Sequence, residues 1–143
     1  MKQLTTREKG KGGRKKGREA QLDRIRRICS TMPSVSEKVS HGTPTFFVEK
    51  DKGVFVMFAD NHHQDGHLAV WVPAPSGLQS ALIEEAPATY FKPPYVGSSG
   101  WIGIELNQIR DEALEVHIRE AWTLAAGKKR RTNGERSKVA RSK

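Results

Sequence analysis

The chain of 143 residues has a single cysteine, Cys29, two tyrosines, three tryptophans and five phenylalanines. One cysteine excludes an intramolecular disulfide and fits a reducing compartment. At a helical position a lone cysteine reads as a small buried hydrophobe rather than a reactive thiol. No apolar run approaches the ~20 residues a membrane helix needs, and Met1 is followed by polar and charged residues rather than an apolar leader. A cytoplasmic protein without membrane contact is the expectation. No internal repeat is present. Catalytic signatures are missing too: there is no Gly-x-Ser-x-Gly elbow, and Gly10-Lys-Gly-Gly-Arg14 lacks the ending and the preceding strand of a phosphate loop. The sequence therefore predicts no enzyme and no cofactor.

Positive charge is abundant but unevenly placed. Residues 1–18 hold eight Lys/Arg and one Glu, and residues 128–143 hold the same, so each end carries +7. The segment between them holds nine Lys/Arg against fourteen Asp/Glu, a net −5. The basicity belongs to the ends. Both are too poor in apolar residues to offset their ordering entropy, which predicts a disordered basic tail over 1–18, a folded domain over 19–127, and a mostly disordered basic tail over 128–143.

Within the body, Leu22, Ile25, Ile28, Cys29 and Met32 recur at helical spacing from Glu19, and Pro33 ends that helix. A short edge strand at Val35–Ser40, a bend at Gly42 and Pro44, and a strand at Thr45–Val48 follow. Glu49–Gly53 reads as a polar hairpin loop. Val54–Ala59 and Leu68–Val72 are apolar throughout, as expected of strands covered on both faces. Ser76 is placed to cap a helix that Pro87 stops. Pro93-Pro94, Gly97 and Gly100 mark an aromatic-bearing turn, from which Ile102, Ile104 and Leu106 alternate as a strand with one buried face. Arg110–Ala126 predicts the closing helix, with Asp111 and Glu112 in its first turn and Gly127 as its C′ residue. The fold class is α+β: one antiparallel sheet with helices packed on it.

The motifs His41-Gly-Thr-Pro-Thr-Phe-Phe-Val48, Asp60-Asn-His-His63, Lys92-Pro-Pro-Tyr-Val-Gly97 and Gly100-Trp-Ile-Gly-Ile104 resemble those of the MmcQ/YjbR family. Ala121-Trp-Thr-Leu-Ala-Ala126 is similar to that family's last helix. The resemblance covers residues 20–130 and implies a double-wing, frataxin-like α+β fold and a DNA-binding label. The basic tails lie outside the family pattern.

Three groups of residues are candidates for function. Lys9, Lys11, Arg14, Lys15, Lys16 and Arg18, with Lys128, Lys129, Arg130 and Arg131, would neutralise phosphates, giving a non-enzymatic DNA-binding protein of weak sequence specificity. The alternative is a small-ligand or protein-binding cleft near His41, Tyr95 and Trp101, in which aromatics on a glycine-rich turn stack on a base or grip a peptide. His62, His63 and His67, with Asp60 and Asp65, form the one metal-like grouping. Its adjacent histidines and lack of a helical His-x3-His pair favour a polar hairpin loop over a metal site.

Overall fold

A computed structural model describes residues 12–49 and 53–130. Helix α1 spans Gly12–Cys29. Strands β1 (Val35–Ser40), β2 (Thr43–Val48), β3 (Gly53–Asp60) and β4 (Leu68–Val72) follow. Helix α2 (Leu78–Glu85), the two-residue β5 (Tyr90–Phe91), β6 (Ile102–Glu105) and helix α3 (Asp111–Arg130) complete the order. All pairings are antiparallel, and the strands lie in the order β1-β2-β3-β4-β6-β5. The α+β expectation holds. No helix among the described residues is long and apolar enough to cross a membrane.

One sheet face is covered by helices. Phe46, Val48, Val56, Phe58, Val70, Val72, Ile102 and Ile104 meet Leu22, Ile25, Ile28 and Cys29 of α1 and Leu114, Ile118, Ala121 and Ala125 of α3. Removal of this apolar surface from water is the main force assembling the domain. Cys29 is part of that core, and desolvation pushes its thiol up to about 12, so it is a packing residue. The unbroken apolar run of β3 has a local cause. Phe46 pairs with Val56 but Phe47 pairs with Val54. Phe55 is thus an extra residue in the ladder, a bulge that lets Phe55 and Val56 both enter the core.

Helices α1 and α3 run in the same direction. Gln21 bonds Asn107, Arg24 bonds Asp111, and Thr31 beyond the end of α1 meets Arg119. Arg24 is the principal tie: its guanidinium donates to the carbonyls of Leu106 and Ile109 and to the carboxylate of Asp111. Arg26 clamps Glu37 of β1 through two bonds, at 2.9 and 2.8 Å.

Several boundaries differ from the sequence expectation. Helix α1 begins at Gly12 rather than Glu19, so the segment read as a tail up to residue 18 enters the helix. Arg18 anchors this extension, pairing with Asp60 at 3.4 Å and lying over the Phe58 ring. Helix α3 continues through Gly127 to Arg130, because a helix that is docked on the sheet propagates until packing and propensity both fail. Ser76 does not cap α2. Gly77, at φ 86°, occupies the N-cap without a side-chain bond. The pairing of Tyr90–Phe91 with β6 went unread, and the Glu49–Gly53 loop lies partly outside the described residues.

Candidate functional site

The second sheet face has no long helix on it, yet Thr45, Phe47, Ala69 and Trp71 are buried there. Register places Lys38, Thr45, Met57, Trp71, Gly103 and Phe91 in one row across it. Two loops cover this row. The first leaves β3 at Asn61, whose φ of 57° is a left-handed conformation that asparagine tolerates better than most residues. Asn61 N–H donates to His67 O, and Gly66 N–H donates to Asn61 Oδ1. This closes the loop and folds its short 3-10 turn, His62–Gln64, back over the sheet. The His62 ring stands edge-on against Trp71, with centroids 5.0 Å apart. His67 stacks flat on Phe91 at 3.9 Å and pairs with Glu105. Gly103 beneath Phe91 is required by that close approach, since a Cβ there would overlap the ring.

The second loop is the Lys92–Gly100 turn. A Cβ at Gly97 would come within 2.7 Å of the Lys92 side chain. Gln79 of α2 donates to the carbonyls of Gly97 and Trp101. Tyr95 adopts φ 64° and ψ −71°, and Val96 N–H donates to Pro94 O at 2.6 Å. Together these make a γ-turn of the rare positive-φ kind, which is strained. Its ring is 71% exposed and stands edge-on to His62, with centroids 6.0 Å apart. Tyr95, His62 and Trp71 form a ladder of rings from solvent to the sheet. At its inner end the Trp71 indole N–H is buried and finds no acceptor among the described residues.

The family profile named YjbR matches residues 30–124. The chain belongs to the YjbR family. No curated protein and no solved structure gives a significant match. The turn Lys92–Gly97 and the loop Asp60–His63, two of the motifs that carry the YjbR resemblance, are the two segments that meet over Trp71.

Of the residues singled out from sequence, Tyr95 and His62 come together. His41 does not join them in a cleft with Trp101. It sits at φ 53° in the β1–β2 turn near one edge of the sheet. Trp101 instead leads into β6, near the opposite edge and the opposite strand ends. No group of three or more His, Cys, Asp or Glu is disposed to hold a metal among the described residues.

The basic candidates divide. Arg14, Lys15 and Lys16 lie in the first turns of α1, and Lys128, Lys129 and Arg130 in the last turn of α3. Lys9, Lys11 and Arg131 fall outside the described residues. Arg18 belongs to the body, held by Asp60 and Phe58. Since Arg18 meets Asp60 at the end of β3, the turns of α1 before it extend past that end of the sheet. Gly53, at the start of β3, abuts Ala125, so the last turn of α3 extends past the other end. The two basic segments leave from opposite poles. Sequence reasoning missed this separation, because it depends on the parallel packing of α1 and α3.

Proposed function

We propose that this YjbR-family protein is a non-enzymatic DNA-binding protein that attaches through basic segments at its two poles, with weak sequence specificity. The observation that carries the reading is the partition of charge. Body arginines Arg18, Arg24, Arg26, Arg27 and Arg119 all face carboxylates, whereas the +7 ends extend from α1 and α3 away from the acidic middle. Lysines and arginines that neutralise phosphates release condensed counterions, so affinity is electrostatic and largely indifferent to sequence. The net −5 of the middle segment favours contact at the poles over contact along the flank.

The test is a salt titration of duplex binding by the full-length chain. One variant carries glutamine at Lys9, Lys11, Arg14, Lys15 and Lys16, and another carries it at Lys128, Lys129, Arg130 and Arg131. Each lost phosphate contact should flatten the log–log salt dependence by about 0.9. Absence of binding at low salt, or a slope unchanged in both variants, refutes the reading.

A further inference from the structure

Charge at the poles leaves the ring ladder over Trp71 without a role. Tyr95 is the one aromatic among the highly exposed large apolar residues described, the others being Val39 and Val116. Its presentation is rigid: the γ-turn follows Pro93-Pro94, Val96 is bonded back to Pro94, and Gln79 fastens the far side of the turn. Strain held at an exposed aromatic is a recurrent mark of a binding position, because the surrounding structure must over-determine it. The orphan indole N–H of Trp71 lies in the layer beneath. A buried donor of this kind is destabilising until an acceptor arrives.

We propose that Tyr95 is a stacking platform for an unpaired nucleobase, backed by His62 and Trp71. The proposal rests on the DNA-binding reading above and specifies how a single strand engages the body. Charge complementarity selects this occupant. The loop on which Tyr95 rests leaves the sheet next to Asp60, and Asp60 is the partner of Arg18. The basic first turns of α1 therefore start from the same end of the sheet as that loop, where they can hold the backbone of a strand whose base lies on the ring. Stacking on an aromatic face tolerates any base, in keeping with weak sequence specificity.

The experiment compares full-length protein binding to a twenty-residue oligothymidylate and to an abasic oligomer of equal length and charge, across a salt series. Wild type should prefer the base-bearing strand by about 5- to 150-fold for a single stacked base. Tyr95→Ala should abolish the preference while leaving the salt slope unchanged, and Tyr95→Trp should restore it. Circular dichroism confirms that the variants fold. Equal affinity of wild type for the two oligomers overturns the platform but leaves charge-driven binding standing. A preference that survives in Tyr95→Ala overturns it as well. If neither oligomer binds at low salt, the platform falls, and duplex binding is then decided by the pole variants.

Discussion

Tyr95 shows how stability and exposure can oppose one another at a single residue. A positive-φ γ-turn at a residue with a Cβ costs on the order of 1–3 kcal/mol, whereas glycine there loses about 0.5–1 kcal/mol of extra backbone freedom. Tyr95→Gly should therefore raise unfolding free energy by about 1 kcal/mol in urea denaturation, while removing the ring that faces solvent. A decrease would show that the ring's contact with His62 outweighs the backbone strain. His117 offers a second residue-scale measurement. Burial lowers its pKa, against a smaller opposing effect of Glu120, and Tyr90 Oη lies 2.8 Å from its Nε2. Burial, with a lesser effect of Glu85, raises the Tyr90 pKa. The phenol thus keeps its proton and donates to a neutral imidazole. The unfolded chain, with the higher histidine pKa, takes up the proton first as pH falls. The stability contributed by neutral His117 is complete above about pH 6.5, the unfolded value. It declines as pH drops towards the lower folded pKa and is constant below that. His117→Asn should flatten this part of the stability–pH curve, measured by urea midpoints between pH 7 and pH 4.5.

At the scale of elements, periodicity made the central strands and both long helices legible, and their ends illegible. Leu22 is the first residue of α1 that repeats into the core, so apolar spacing says nothing about the turns before it. The basic composition there reads as disorder, although Arg and Lys are good helix formers. What settles the matter is Arg18, reaching across to Asp60 and Phe58, a contact no local pattern encodes. Gly127 misled in the opposite direction. Glycine favours the position after a helix end, yet here the helix passes through it, and a Cβ would meet nothing within 4 Å. Gly127→Ala should accordingly stabilise the protein by about 0.5–1 kcal/mol, read as an increased urea midpoint at unchanged m-value. The ring ladder was illegible for a related reason. Tyr95, His62 and Trp71 each stood out in sequence, but two loops must fold back over the sheet before they meet, and left-handed Asn61 was the one local hint of that.

For the whole molecule, the parallel packing of α1 and α3 sets a length. Arg24 and Asp111 lie side by side, with α1 reaching back to Gly12 and α3 forward to Arg130. At a rise of 1.5 Å per residue the two basic helix ends are about 45 Å apart along their common direction. At 3.4 Å per base pair that separation corresponds to roughly 13 base pairs of duplex lying along the helices. Shorter duplexes can engage one pole at a time, and longer ones both. Binding to a series from 8 to 24 base pairs should therefore show a step in salt slope near 13, as the second set of phosphate contacts comes within reach. Neutralising Lys128–Arg131 should erase the step and leave the short-duplex slope in place for the other pole. A slope that rises smoothly with length, with no step in wild type, would mean that the basic segments act as independent polyelectrolyte arms whose contacts are not set by the folded body between them.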